Sequence, residues 1–211
     1  MRNYTLLDQI CLGIDQAVRA IAGTAKTSDR TYPAQNEVSQ LTPTQRKHAA
    51  GLMRVNHAGE VCAQALYHGQ GLVSHSRLVK EKMQQAALEE GDHLAWCQTR
   101  LIELGSHTSY LNPFWYTSSF AIGLTAGLIG DKWSLGFLAE TENQVVKHLE
   151  QHLHLLPQDD KRSYQILSQM QQDEAQHRDD ALQAGAATLP SWIKKMMKVV
   201  SKILVKTAYW L

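Results

Sequence analysis

The sequence predicts an all-α protein: a four-helix bundle with additional N-terminal and C-terminal amphipathic helices. Three observations carry that reading. Helical apolar spacing runs through most of the chain, no convincing strand alternation appears, and a Glu followed by Glu-x-x-His recurs on two successive helix pairs. At 211 residues the chain is one domain's worth. Its 44% hydrophobic and 19% charged residues lie in the ordinary globular range, so disordered, collagenous and coiled-coil classes drop out.

Helical segments can be read near residues 4–22, 43–73, 76–104, 131–155, 159–184 and 190–210, with breaks at Gly, Ser and Pro. The stretch TSDRTYPAQNEVS (27–39) is polar, carries Pro33 and lacks a period, so residues 1–40 are expected to form a short helix and a polar linker. Thr42-Pro43 reads as an N-cap with proline at the first helical position, opening the bundle at 41–189. From Leu104 to Gly130 there is no Asp, Glu, Lys or Arg, but Thr117-Ser118-Ser119 and the glycines dilute the run well below a membrane-spanning helix. This 104–130 insertion is expected to be an apolar cover or an interfacial segment.

Charge is unevenly placed. The net +1 divides into +5 on residues 190–211, which hold five lysines and no acid, and −4 on residues 1–189. A general nucleic-acid surface is therefore not expected. Cys11, Cys62 and Cys97 are odd in number, far apart and without a C-x-x-C, which argues against a disulfide framework or a cysteine zinc site and fits a reducing cytoplasm. Asp8 and Asp15 interrupt the place where a secretory apolar run would lie, and the N-terminus is not Arg-rich, so no export or organelle signal is expected.

The informative feature is the repeat. Glu60 is followed 30 residues on by Glu90-Gly-Asp-His93, and Glu142 is followed 32 residues on by Glu174-Ala-Gln-His177. A single Glu-x-x-His carries little, since about 0.5 would arise by chance in a chain with ten Glu and ten His. Placement carries more. At about 100° per residue, Met83, Ala86, Ala87, His93, Leu94, Cys97 and Leu101 fall on the face of Glu90, and Leu135, Leu138, Val145, Val146, Leu149 and Leu153 on that of Glu142, whereas Glu140 points the opposite way. Glu174 shares its face with Leu167, Met170, His177 and Ala181, and Glu60 shares its face with Met53, Ala63 and Tyr67. Four carboxylates on core faces would repel one another, so a cation is required. One Glu from each of two helices and Glu-x-x-His from each of the others is the arrangement of ferritin-like di-metal carboxylate proteins. Mixed oxygen and imidazole donors suit iron or manganese, and four negative charges balance two divalent ions. Glu89 and Asp173 directly precede the motif glutamates, where each could hold a histidine of the opposite motif. His148-Leu-Glu-Gln-His152 is not a zincin motif, because Leu149 stands where Glu is needed, and His148 is left as a solvated, substrate-edge or outer-site residue.

The tail is a second constellation. On a helical wheel its lysines fill a sector of about 120°, and Trp192, Ile193, Met196, Met197, Val199, Val200, Ile203, Leu204, Trp210 and Leu211 fill the other side. Residues 190–211 are therefore expected to be a basic amphipathic helix on an anionic lipid surface, or else a helix packing its apolar face on the body.

Taken together, RVNHAGE (54–60), EEGDH (89–93), AETENQVVKHLEQHL (139–153) and DEAQH (173–177) resemble the demethoxyubiquinone hydroxylase family, ferritin-like di-iron monooxygenases of ubiquinone biosynthesis. The resemblance covers residues 41–211. Some family members carry Asp where Asn56 stands, which is not a ligand position. The resemblance implies that Glu60, Glu90, His93, Glu142, Glu174 and His177 hold two Fe ions per chain, the same six residues that spacing selects. It further implies O2-dependent hydroxylation of the ring of a prenylated demethoxy-benzoquinol (3-demethoxyubiquinol), with NADH as reductant. The implied setting is peripheral, on the cytoplasmic face of a bacterial cell membrane, with membrane lipids and other ubiquinone-biosynthesis proteins as partners and no nucleic acid. Three other readings stay open: a di-iron tRNA hydroxylase, a ferroxidase or iron-handling protein, and a metal-free lipid-binding scaffold.

Overall fold

A computed structural model describes residues 5–211, and every regular element among them is a helix. These are α1 (Leu6–Ile21), α2 (Pro43–Val73), α3 (Arg77–Glu103), α4 (Asn112–Ile129), α5 (Asp131–Leu155), α6 (Lys161–Gln183) and α7 (Ser191–Ala208). Local chemistry sets the starts. Thr5 with Asp8 and Thr42 with Gln45 form capping boxes, and the side chains of Ser76 and Asp160 accept from the backbone N–H groups of Val79 and Ser163.

The bundle proper is α2, α3, α5 and α6, and its core has three levels. At one end Leu52, Met53, Leu101, Leu149, Ile166 and Leu167 pack together; at the other Val79, Met83, Leu135, Leu138 and Ala181 do so. The first set comes from the N-terminal halves of α2 and α6 and the C-terminal halves of α3 and α5, so sequential helices of each pair run antiparallel. The carboxylates and imidazoles occupy the level between two apolar plugs.

That arrangement leaves the end of α3 and the start of α5 at opposite ends of the bundle, and α4 spans the distance. The sequence shows residues 112–129 only as an apolar insertion; in the fold they are a complete helix running parallel to α2. The small residues that dilute its hydropathy allow this. A Cβ on Gly69 would strike the carbonyl of Phe120, and one on Gly123 would strike that of Leu66, so only glycine at both positions lets the backbones lie this close. Gly130, at φ 127° and ψ 154°, adopts a conformation open to glycine alone and turns the chain from α4 straight into α5. Among the described residues no helix is long and apolar enough to cross a membrane.

Charged networks fix the periphery. Buried Arg100 reaches Asp160 at 2.7 Å and Ser163 at 2.9 Å, joining α3 to the start of α6. Arg54 donates to the carbonyls of Tyr209 (2.7 Å) and His107 (2.9 Å) and to Ser106 Oγ (2.6 Å), pinning the C-terminus to α2. The C-terminal end of α7 seats Leu204, Val205, Ala208 and Tyr209 against Val55, Ala58 and Trp115. Most of its apolar side remains outside: Trp192, Met196, Val199, Val200 and Ile203 are exposed. Cys11, Cys62 and Cys97 are all free thiols.

The 24–41 segment does more than connect. Ser28 donates through its N–H and its hydroxyl to Asp92. Arg30 forms a two-pronged pair with Asp173 at 2.8 and 3.1 Å while lying 5.0 Å over the Trp96 ring. Gly91, the glycine of EEGDH, is where the segment passes, since a Cβ there would overlap the carbonyl of Lys26.

Candidate metal centre

One residue from α2, two from α3, one from α5 and two from α6 meet at the middle level. Glu60, Glu90, Glu142 and Glu174 and the imidazoles of His93 and His177 are all buried, none more than 8% exposed. Glu60, Glu90, His93 and Glu174 each bring one donor atom to within 4.8 Å of the others. His177 joins them, with Nδ1 3.1 Å from Glu174 Oε2 and 3.4 Å from Glu90 Oε1. Glu142 joins through Tyr67, whose hydroxyl donates to Glu142 Oε1 at 2.7 Å and lies 3.3 Å from Glu90 Oε1.

The two histidines are arranged alike. Each turns Nδ1 inward, at 3.1 Å from the carboxylate three residues before it, and Nε2 outward. Nε2 of His93 meets Asp173 at 3.0 Å, and Nε2 of His177 meets Glu89 at 2.8 Å. The acid preceding each motif glutamate therefore holds the histidine of the other motif. An acceptor on Nε2 keeps the proton there and leaves Nδ1 free to face a cation. Asp173 is in turn held by Arg30 and by Gln169 at 3.0 Å.

Electrostatics show how much charge is concentrated here. Burial, then the nearby Glu90, pushes the Glu60 carboxyl well above its ordinary range; burial, then Glu174 and Glu90, does the same to Glu142. Burial also works to raise Glu90, but hydrogen bonds from His177 and His93 outweigh it and hold that carboxyl well below the usual value. Burial works to lower both imidazoles, and the surrounding carboxylates more than reverse it, raising His93 and His177 far above a free histidine. Asp173 falls to about 2, burial being overcome by His93 and Arg30. His93 Nδ1 lies 3.1 Å from Glu174 Oε1 as well, out of line for a second hydrogen bond, so that oxygen is buried without a partner. Inward Nδ1 atoms, crowded carboxylates and an unbonded carboxylate oxygen are what a cation-binding centre requires.

Sequence reading missed two residues of this centre's surroundings. Tyr67 shows in the sequence only as a member of the Glu60 face, seven residues on; its hydrogen bond to another helix leaves no local mark. Arg30 lies in an irregular segment with no period to place it. His148 lies apart, about 9 Å along α5 from Glu142 at 1.5 Å per residue. It is half-buried: its ring centroid lies 3.9 Å from that of His152 with the planes tilted by 56°, its Nε2 is buried without a hydrogen-bond partner, and burial holds it down to about 4. Asn56 is buried on α2, and neither polar atom of its side chain makes a hydrogen bond.

The family model for "Ubiquinone biosynthesis protein COQ7" matches residues 47–208, a span that contains all six clustered residues. Proteins named 3-demethoxyubiquinol 3-hydroxylase are similar over the whole chain. That of Acinetobacter baumannii is 53% identical over 211 residues, covering all of both chains. That of Polynucleobacter asymbioticus is 53% identical over 207 residues, covering 97% of this chain and 99% of its own. That of Nitrosococcus oceani is 50% identical over 211 residues, covering 100% and 99%. With a match over most of its length and full-length relatives at this identity, the chain belongs to the COQ7 family of ubiquinone biosynthesis proteins.

Proposed function

We propose that the chain is a di-iron monooxygenase that hydroxylates the ring of a prenylated demethoxy-benzoquinol, 3-demethoxyubiquinol, in ubiquinone biosynthesis. The observation that carries this is the buried four-carboxylate, two-imidazole cluster in a chain whose full-length relatives bear the hydroxylase name. Glu60, Glu90, His93, Glu142, Glu174 and His177 would hold two Fe ions. The metal, when bound, supplies the electron traffic that O2 activation needs. The balance is quinol, O2, two electrons and two protons in, hydroxylated quinol and water out, with NADH as the source of the electrons.

The chain's own residues do the rest. Asp173 and Glu89 fix the two imidazoles, Tyr67 fixes Glu142, and the apolar plugs above and below keep water from the reacting ring. A cleft of about 540 Å³ between α1, α2 and α3 reaches Tyr67 and is lined by Leu12, Gln64, His68, Met83 and Ala87. Its apolar members, Leu12, Leu72, Met83 and Leu88, lie among the charged Asp15, Arg19, Lys26 and Lys80, and they support entry of the ring with the prenyl chain trailing. Exposed Ile14 and Val18 on α1, Phe114, Leu128 and Ile129 on α4, and the apolar side of α7 support peripheral attachment at the cytoplasmic face of the cell membrane.

With purified iron-loaded protein, reductant and 18O2, one labelled oxygen should enter the quinol ring. Label appearing only in water while ferrous iron is consumed would make the protein a ferroxidase and end the hydroxylase reading.

A further inference from the structure

The lysines of α7 gather against the body. Near its start, Lys194 Nζ meets Glu140 Oε2 at 3.0 Å and the Lys194 carbonyl accepts from Gln144 at 3.3 Å. At its end, Ala208 and Tyr209 seat on α2. Between these anchors α5 and α7 part, and a groove of about 450 Å³ opens. Six lysines line it: Lys147 from α5, and Lys194, Lys195, Lys198, Lys202 and Lys206 from α7. Glu140 is the one carboxylate in the lining, and Lys194 already occupies it. His148 lines the groove too, with its Nε2 buried and unbonded. Like charges facing one another across a groove repel. A single acceptor-rich anion relieves that repulsion.

We propose that this groove is a binding site for a phosphate-ester anion, gripped by Lys147, Lys198 and Lys202. A phosphate ester offers several acceptor oxygens and up to two negative charges, which a lone carboxylate does not. Ammonium groups are point-charge phosphate binders, and the groove's volume lies within the range of small-molecule sites. Its occupant is either a phospholipid headgroup or a soluble diphosphate. This differs from diffuse attraction of a basic tail to a charged surface, because Lys147 belongs to the bundle and not to the tail.

Calorimetric titration of the full chain with sodium pyrophosphate, with dihexanoyl phosphatidylglycerol below its micelle concentration, and with the matching phosphatidylcholine tests it. Saturable binding of one anion is expected, phosphatidylglycerol identifying a headgroup site and pyrophosphate a soluble diphosphate site. Lys147→Gln and Lys198→Gln should each weaken it roughly tenfold, the loss of one charge-assisted contact. Both side chains are exposed, so circular dichroism should show an unchanged fold. Saturation by neither anion, phosphatidylcholine binding as well as phosphatidylglycerol, or Lys147→Gln binding like the unaltered chain would each overturn the proposal. The hydroxylase reading would survive such a result, since no iron ligand is involved.

Discussion

The middle of the bundle and the C-terminal helix break the same rule in opposite senses. At the middle level six ionisable side chains are at most 8% exposed, where apolar groups belong. On α7, Trp192, Met196, Val199 and Ile203 are more than half exposed, where polar groups belong. Each departure costs free energy for the chain alone. Under the function proposed above, each would be answered by something outside the chain: concentrated negative charge by metal cations, exposed apolar surface beside lysines by an anionic bilayer. The supports differ in the same way. The buried cluster is braced from every side, through Tyr67, Glu89, Asp173 and Arg30, whereas α7 is held near its two ends.

The largest effect is expected where the bracing is densest. The double variant Glu60→Ala, Glu142→Ala removes two of four balancing carboxylates and should lose stoichiometric iron and ring hydroxylation together, as metal analysis and the 18O2 assay would report. Two irons per chain in that variant would break the comparison at its first term.

The next effect sharpens it. Asp173→Ala should lower iron affinity or activity roughly 10–100-fold with the helix content intact, because His93 loses the acceptor that orients it. Arg30→Ala, one contact further out, should act in the same direction and less. Full iron and full activity in Asp173→Ala would show that the imidazole is held by the metal alone.

For α7, serine at Trp192, Met196 and Ile203 should weaken binding to anionic vesicles by roughly tenfold or more, given about 0.8 kcal/mol per buried methylene, without changing the iron count. Unchanged co-sedimentation would mean that α7's apolar face is not what meets the lipid. Truncation at Pro190 is a blunter instrument, because it also removes the Ala208 and Tyr209 contacts that close the bundle's side.

The smallest effect concerns pH. Burial lowers His152 to about 3, with the nearby His148 adding to it, and lowers His148 to about 4. An unfolded histidine titrates near 6.5, so between pH 6.5 and 4 the unfolded chain binds protons the folded chain refuses. Their contribution is complete above pH 6.5 and is lost as pH falls. His152→Gln should flatten the stability profile in that window by about 1.4 kcal/mol per pH unit at most, measured by urea unfolding. Parallel profiles would show that His152 is reached by water in the folded state.

Much of this was written in local order. Glu60, Glu90, His93, Glu142, Glu174 and His177 could be picked out because a helix repeats every 3.6 residues, so a carboxylate inside an apolar stripe declares its face without reference to any partner. The same periodicity marked six of the seven helices and the two-sided tail. It was silent on α4, whose glycines dilute the apolar signal for the reason that they let it lie against α2, a reason visible only once α2 is beside it. It was silent on Tyr67 as the donor to Glu142 and on Arg30 as the brace of Asp173, since those bonds span 75 and 143 positions of chain. Spacing along a helix determines which side chains share a face. Which faces meet, and which cations, apolar groups or lysines are brought opposite one another, depends on contacts between residues distant in sequence, and only the packed structure decides those.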